Sequence, residues 1–218
     1  MLRHVSERPR YLLVVALLLV ALQQFGSAGL IYAKAALAPL LVQRAWAATL
    51  NSNGQVHKPW PWADTWPVAR LLVPELGVDQ FVLTGATGNA LAFGPGLDAA
   101  GAAPGEGGTA VIAGHRDTHF RFLQRMEPSM LLWLELPCGR RQQFRVSGAQ
   151  VVDSRQAAAM PSRQGPSRLE LVTCYPFDAL RAGGPLRYVI FAISQQSALA
   201  NENLLQLNTN GTHGATQL

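Results

Sequence analysis

The chain has 218 residues, of which only 14% are charged, and it contains 20 glycines and 14 prolines. Low charge with frequent Gly and Pro favours short strands and turns over long surface helices, and the length allows one domain with its own core. A net charge of +5 is compatible with nucleic-acid binding, but the basic residues are scattered, so we predict no nucleic-acid partner. Two cysteines are too few for a disulfide framework.

The N-terminal segment predicts a membrane anchor. Residues 1–10 are basic, and residues 11–33 are apolar with few interruptions, which matches the roughly 20 residues that cross a bilayer as a helix. The positive-inside rule then places the N-terminus in the cytoplasm and the rest of a single-pass protein on the periplasmic or extracytoplasmic side of the inner membrane. Small residues at 26–29 leave a cleaved signal peptide as the alternative. We favour a retained anchor because apolar residues continue beyond them.

Residues 34–66 are predicted to be a linker that is helical in part. The first half is rich in Ala and Leu with a kink at Pro39, and the stretch from Asn51 to Gly54 breaks the pattern. Three tryptophans interleaved with prolines follow, and they suit packing on the folded part or a position at the membrane interface. Whether this linker packs on the folded part is open. At the other end of the chain, residues 197–218 are predicted to be a loose polar tail.

Residues 67–196 carry the pattern of a barrel built from short strands. Short apolar or alternating runs are separated by Gly and Pro, and short helices are predicted near residues 88–93 and 120–126. No long helix alternates with the strands, which disfavours a parallel α/β sheet. The predicted strands are VARLLV and VDQFVL, divided by Pro74 and Gly77; TAVIAGH; a hairpin that turns at Pro137, Cys138 and Gly139; RLELVTC; and LRYVIFAI.

Three polar residues stand at the ends of predicted strands. His115 ends TAVIAGH, Cys174 ends RLELVTC, and Arg187 begins the last strand. A cysteine nucleophile needs a proton partner, usually histidine, and a group that stabilises the oxyanion of the tetrahedral intermediate, a role that suits arginine. The three residue types are therefore sufficient for acyl transfer through a thioester. Taken singly, each also has a structural explanation as a buried thiol, a turn-capping histidine or a solvated arginine.

Three motifs taken together resemble the sortases, which are membrane-anchored cysteine transpeptidases. The motifs are AGHRDTHF, TCYPFD and LRYVIFA, and they follow the family's order and spacing of His, Cys and Arg. The segment ALAFGPGLDAAGAAPGEGGTAVIAGHRDTHFRFL, which leads through the histidine, is similar as well. The resemblance covers residues 67–194, and GGPLRYVIFA after TCYPFDA is most similar to the proteobacterial branch of the family.

The resemblance implies an all-β fold, the eight-stranded sortase barrel with one or two short helices. It also implies cleavage of a C-terminal LPxTG-like sorting signal between Thr and Gly. Cys174 would attack the threonine carbonyl, His115 would protonate the leaving amine and later deprotonate the acceptor, and Arg187 would bind substrate and stabilise the oxyanion. The acceptor would be a primary amine, or water if the enzyme acts as a thiol peptidase. The implied partner is a protein substrate that carries the signal, and no cofactor is implied.

Three further residues are candidates for contact with the substrate or the oxyanion. The main-chain N–H of Tyr175 follows the nucleophile directly and is a candidate second oxyanion donor. Thr173 is a candidate contact for the sorting motif, and Asp117 is a candidate for a turn or hydrogen bond near the histidine. The family pattern before the cysteine is often Thr-Leu-x-Thr-Cys; here the first threonine is replaced by Glu170, which is a departure at the substrate pocket.

Other interpretations compete with this one. His119 lies four residues after His115 with Asp117 between them, but no further ligand cluster accompanies them, so we predict no metal site. Cys138 is predicted to be a free, non-catalytic thiol, because a disulfide with Cys174 would remove the nucleophile. Two other functions stay open: a membrane-tethered β-barrel that binds a partner without turnover, and a different cysteine peptidase of the cell envelope.

Overall fold

The computed structural model describes residues 8–156, 161–179 and 183–195. Its strands form a closed barrel in the order β1-β2-β3-β4-β7-β8-β6-β5, and β5 pairs back onto β1. The predicted eight-stranded barrel with few helices is confirmed. The elements are α1 (Arg8–Asn51), β1 (Pro67–Val73), β2 (Val78–Thr84), α2 (Asn89–Phe93), β3 (Gly96–Leu97), β4 (Thr109–Ala113), β5 (Leu131–Glu135), β6 (Arg141–Asp153), β7 (Arg168–Cys174) and β8 (Leu186–Ser194), with 3-10 helices at Pro74–Leu76 and Arg121–Arg125.

Alternating apolar residues build the core of the barrel. In β1, Ala69, Leu71 and Val73 are fully buried while the residues between them are partly exposed. Successive side chains of a strand point to opposite faces, so this alternation directs one face of each strand inward. Burying a Leu or Phe side chain contributes about 1.5–3 kcal/mol relative to leaving it exposed. The largest fully buried side chains of the core include Phe120, Phe144, Leu132, Leu134, Leu169 and Ile190.

The pairing of β4, β7 and β8 brings the ends that carry the predicted site residues to one edge of the barrel. β4 and β7 are parallel neighbours, although β5 and β6 come between them in the chain, and β7 is antiparallel to β8. Their pairing brings the carboxyl ends of β4 and β7 and the amino end of β8 to the same edge of the barrel. The two-residue strand β3, which pairs with β2 and β4, was not among the predicted strands because it is too short to show a period.

The chain divides into two compact units, residues 1–40 and residues 41–218. In the first unit, α1 runs through the predicted anchor, and large apolar side chains from Tyr11 to Phe25 are exposed along it. Among the described residues, none of the helices has the combination of length and apolar character that a membrane span requires, so the predicted transmembrane helix is not shown.

The last turns of α1 belong to the barrel unit. The ring of Trp46 is 2% exposed, its centroid lies 6.3 Å from that of Phe81, and its Nε1 donates a hydrogen bond to Glu135 at 3.3 Å. Part of the segment predicted as a linker therefore packs on the barrel, which answers the question that the sequence left open. The buried positions on this helix face are Val42, Ala45, Trp46 and Thr49, spaced as one side of a helix.

Glu135, at the end of β5, is a buried carboxylate that accepts hydrogen bonds from residues of three other elements. It accepts hydrogen bonds from Trp46, from Arg70 at 3.5 Å and from Nε of Arg141 at 3.1 Å. Arg70 also holds Asp79 through two short hydrogen bonds of 2.7 and 2.6 Å, and the bond from Arg70 lowers the pKa of Asp79. A buried charge needs such partners to offset its lost hydration. The cluster therefore links α1, β1, β5 and β6.

Candidate active site

Cys174 and Arg187 are direct neighbours at the edge of the barrel. Cys174 is the last residue of β7, and the β7–β8 register pairs it with Arg187. Residues opposite each other in an antiparallel ladder have Cα atoms about 4.5–5.5 Å apart and project to the same face. Burial alternates along β7 so that Cys174 lies on the outer face, where it is a partly exposed free thiol. Thiol and guanidinium therefore share one outer face.

His115 reaches the same edge from β4. The parallel ladder between β4 and β7 ends with Ala113 opposite Val172, and the N–H of Gly114 extends it by donating to the Val172 carbonyl at 3.1 Å. Continuing this register by two residues brings His115 beside Cys174. His115 is exposed, which leaves its imidazole accessible to a substrate on the outer face. The structure thus brings the three predicted catalytic residues together.

Thr173 joins the two strand ends that carry the nucleophile and the histidine. Its hydroxyl donates to the carbonyl of Gly114 at 2.7 Å, and the residue is 2% exposed. Its predicted contact with the sorting motif stays a prediction. In the structure, the hydrogen bond of Thr173 fixes β4 against β7 one residue before His115 and Cys174.

Gly114 allows a buried ring to support the histidine loop (residues 115–120). A Cβ at this position would lie 2.7 Å from Cγ of Phe120, which is too close for any side chain. Phe120 is fully buried, and its N–H donates to the carbonyl of His115 at 2.9 Å, which closes the loop. The loop that carries His115 is therefore held by the packing of the Phe120 ring against Gly114 and by the main-chain hydrogen bond from Phe120 to His115.

The main-chain N–H of Tyr175 is already engaged. It donates to the carbonyl of Leu186 at 3.0 Å, and its role as a second oxyanion donor stays a prediction. The side chain of Tyr175 belongs to an aromatic cluster that includes residues of the cysteine loop (residues 175–179). The rings of Tyr175 and Tyr188 stack at 6.2 Å, and Phe177 meets Tyr188 edge-on at 5.3 Å. This cluster anchors the loop that follows the nucleophile.

The guanidinium of Arg187 is held by its own preceding loop. Nη1 donates to the carbonyls of Gly184 at 2.6 Å and Leu186 at 2.9 Å. Among the described residues, Nε and Nη2 have no acceptor, so these donors are available to a substrate carbonyl. Because arginine keeps its charge at any working pH, they suit an oxygen that becomes negative during reaction.

Arg116 connects the histidine loop to the cysteine loop, a role that was not predicted from the sequence. It is 7% exposed, and its guanidinium donates to the carbonyl of Pro176 at 2.9 Å and to that of Ala179 at 2.7 Å. Its Nε also donates to Asp117 at 3.1 Å. The planar fork of arginine can satisfy several acceptors at once, so a single side chain sets the separation of the two loops.

Asp117 and His119, the two candidate polar residues near His115, differ in exposure to solvent. Asp117 is exposed and accepts the bond from Arg116, so it makes a hydrogen bond in the histidine loop of the kind predicted for it. His119 is partly buried, and burial lowers the pKa of its imidazole, with a smaller contribution from the nearby His115. The pKa shift therefore favours the neutral form of His119. Its carbonyl accepts a hydrogen bond from Gln80 at 2.9 Å.

Comparison with known proteins agrees with this geometry. The family model for the sortase domain matches residues 71–195. Sortase D of Bacillus subtilis (strain 168) is 29% identical over 121 residues, and the match spans 56% of this chain and 60% of that protein, which is less than two thirds of the relative's length.

Two solved structures are similar in fold. A sortase D5 transpeptidase of Clostridium perfringens superposes with a TM-score of 0.56 and 18% identity, over 72% of this chain and 95% of that chain. Sortase A from Corynebacterium diphtheriae superposes with a TM-score of 0.54 and 17% identity, over 73% of this chain and 84% of that chain. Because the family model covers more than half of the sequence and the barrel is the same, this chain belongs to the sortase family.

Proposed function

We propose that this protein is a cysteine transpeptidase that cleaves a C-terminal LPxTG-like sorting signal and transfers the acyl part to an amine. The observation that carries the proposal is the direct pairing of Cys174 with Arg187 on the outer face, with His115 at the end of the neighbouring strand. Membership of the sortase family supports it, as does the transpeptidase activity named for the similar Clostridium perfringens protein.

In the first half of the reaction, the thiolate of Cys174 attacks the threonine carbonyl carbon of the sorting signal. The S–C bond forms, and the carbonyl oxygen takes the negative charge, which the free donors of Arg187 stabilise. The C–N bond to glycine then breaks, and the imidazolium of His115 gives its proton to the leaving amine. The product is a thioester between the threonine carbonyl and Cys174, with His115 now neutral.

In the second half, an acceptor amine attacks the thioester carbonyl. His115 takes the proton that the amine loses, the C–S bond breaks, and Cys174 returns to its thiolate. A new amide joins the acyl part to the acceptor. Water in place of the amine gives hydrolysis, which is the peptidase outcome. The protein substrate is one that bears the sorting signal, and similarity of TCYPFDA and GGPLRYVIFA to the proteobacterial branch supports placing the enzyme there.

We also propose that the N-terminal segment anchors the enzyme in the inner membrane with the barrel on the extracytoplasmic side. Basic residues precede the apolar run, and the apolar side chains from Tyr11 to Phe25 lie exposed on α1. The full chain should stay with the membrane pellet after alkaline carbonate extraction, whereas a chain that starts at Leu41 should be released. Release of the full chain would contradict the anchor.

The test of the reaction is product analysis with and without an amine. The enzyme is mixed with LPxTG-like peptides, including peptides from candidate substrates of the same organism, in the presence and absence of an oligoglycine amine. We expect a ligated product that requires both the amine and Cys174, and none from Cys174→Ala. Cleavage that never yields ligated product would favour the cell-envelope peptidase. Tight binding of a sorting-signal peptide without any product would favour the non-catalytic binding barrel.

A further inference from the structure

The outer face of β7 continues from the nucleophile toward Glu170. Burial alternates along the strand, so that Leu169, Leu171 and Thr173 face the core. The residues between them, Glu170, Val172 and Cys174, face outward. A strand rises about 3.3 Å per residue, which places Glu170 roughly 13 Å from Cys174 along the same face. A peptide bound at the thiol and extended along this face passes over Glu170.

The carboxylate of Glu170 stands between apolar neighbours. The ladders pair it with Val111 of β4 on one side and with Phe191 of β8 on the other, and Val172 follows it on the same face. All of these side chains are partly buried. This setting removes water from the carboxylate, and burial accordingly raises the pKa of Glu170. A carboxylate among apolar side chains on a strand face is energetically costly unless a cation or a hydrogen-bond donor offsets its charge.

The barrel itself offsets that charge only in part. Arg168, two residues earlier on the same face, attracts Glu170 and acts against the effect of burial without cancelling it. Among the described residues, no side chain or main-chain group donates a hydrogen bond to Glu170, and no cation lies within the 4 Å of an ion pair. The carboxylate oxygens of Glu170 can therefore accept hydrogen bonds from a ligand that covers the outer face of the barrel.

We propose that Glu170 is a specificity-determining residue that selects a basic side chain, lysine or arginine, about four residues before the threonine whose carbonyl is attacked, just ahead of the LPxTG-like motif. The inference rests on the proposed function, in which the recognised residues precede the cleaved bond. An extended peptide advances by about the same 3.3 Å per residue as the strand, so the distance from Cys174 to Glu170 corresponds to four substrate residues. A charge-assisted hydrogen bond to the carboxylate then favours a basic substrate.

At position 170 this chain carries glutamate where the Thr-Leu-x-Thr-Cys pattern that it resembles has its first threonine. The pattern that it resembles carries an uncharged hydroxyl there, which has no charge with which to select a basic side chain. The substitution Glu170→Thr therefore restores the resembled pattern, and Glu170→Gln removes the charge at nearly constant shape. Glu75→Gln is the matched control, because Glu75 is an exposed glutamate in the 3-10 helix Pro74–Leu76.

The experiment compares peptides that differ at one position. The full chain in detergent is given LPxTG-like peptides in which lysine or its neutral isostere norleucine stands four, five or six residues before the threonine whose carbonyl is attacked. We expect kcat/KM to be about tenfold higher for lysine at one of these positions, the ratio that roughly 1.4 kcal/mol of discrimination gives. Glu170→Gln and Glu170→Thr should bring the ratio to within about twofold, and Glu75→Gln should leave it unchanged.

The outcomes separate this inference from the proposed function. Acyl transfer that depends on Cys174 but is equal for lysine and norleucine at all three positions overturns the inference and leaves the transpeptidase in place. A lysine preference that persists in Glu170→Gln overturns it as well, because another group must then supply the selection. If no peptide forms a product that depends on Cys174, the proposed function fails and the inference fails with it.

Discussion

Cys174, Arg187 and His115 derive their arrangement from strand register. All three lie on outward positions at one edge of the barrel, and Thr173, one residue before the nucleophile, faces inward and binds the carbonyl of Gly114. A shift of one residue in the β7 register would move the thiol to the core and the threonine to the surface. The core positions Leu169 and Leu171 resist such a shift, so the packing of apolar residues fixes the position of the Cys174 thiol.

At the same scale, the residues that could be predicted from the sequence are those whose chemistry is visible from their type and order. The order of His115, Cys174 and Arg187 within three recognisable motifs predicted a common site, and strand register places them together. Arg116 was missed because an arginine that follows a histidine is usually solvated, and its burial depends on carbonyls 60 residues away in the chain. The hydrogen bonds of Thr173 to Gly114 and of the Tyr175 N–H to Leu186 were not predicted for a related reason, since such partners are set by tertiary contacts.

Glu170 should reduce stability at neutral pH. Burial raises its pKa above the ordinary 4.5, so the folded state holds the proton more tightly than the unfolded state. The resulting stabilisation is fully present below the unfolded pKa and is lost as pH rises through the folded pKa. We expect Glu170→Gln to be more stable than the wild type at pH 7, by up to about 1 kcal/mol because the group is only partly buried.

Urea unfolding of the wild type and Glu170→Gln between pH 4 and pH 8 measures this difference. The advantage of Glu170→Gln should shrink as pH falls toward 4.5. Glu75→Gln, at an exposed position, should show no such trend. A difference between wild type and Glu170→Gln that does not vary with pH would show that the Glu170 carboxyl does not titrate differently in the two states.

At the scale of elements, the site is two loops that follow neighbouring parallel strands. The histidine loop leaves β4 and the cysteine loop leaves β7, and the strand ladder alone fixes only their first residues. Beyond that point Arg116 spans the gap with hydrogen bonds to Pro176 and Ala179. Strand and hairpin boundaries were predictable because alternation and turn residues are local signals, whereas this connection between loops has no local signal.

Arg116→Ala should lower activity by about ten- to hundredfold, because a displacement of catalytic groups by roughly 1 Å has an effect of this size. The loss should fall mainly on kcat, since Arg116 positions the two loops and is not proposed to bind the peptide. Arg116→Lys should recover only a small part, because an ammonium lacks the fork that reaches both carbonyls. The measurement is steady-state ligation kinetics with melting temperatures for each variant.

Arg125→Ala is the control for this prediction, because Arg125 is an exposed arginine at the end of the 3-10 helix Arg121–Arg125. It should leave kcat and KM near the wild-type values. Full activity in a folded Arg116→Ala variant would mean that the aromatic cluster and the strand ladder hold the loops without help from Arg116.

At the scale of the whole molecule, the barrel unit includes the end of α1. The segment 34–66 has the composition of a linker, and its Ala-rich first half predicted a helix. Its attachment to the barrel depends on the ring contact of Trp46 with Phe81 and on the hydrogen bond of Trp46 to Glu135. Those partners are distant in the chain, so composition could not predict the contact. A chain that begins at residue 58 would lack this helix face, whereas one that begins at Leu41 retains it.

Trp46→Ala should lower the free energy of unfolding by about 3–5 kcal/mol, the range for removing a large buried aromatic side chain. Part of the loss arises because Glu135 keeps its buried charge and loses a donor. Arg44→Ala, at an exposed position on the same helix, should change stability by no more than about 0.5 kcal/mol. Urea unfolding of both variants in a chain that starts at Leu41 is the measurement. Equal stabilities would show that the helix end is not part of the folded unit.

The proposed mechanism requires Cys174 to form a thioester with the acyl part of a sorting signal. Intact-mass spectrometry of the full chain mixed with LPxTG-like peptides, beside Cys174→Ala and His115→Ala, detects this thioester. We expect an added mass equal to the peptide up to its threonine, absent in Cys174→Ala and discharged when an amine is added. A well-folded enzyme that gives no adduct with any peptide, including those of its own organism's candidate substrates, or an adduct that persists in Cys174→Ala, would contradict the mechanism.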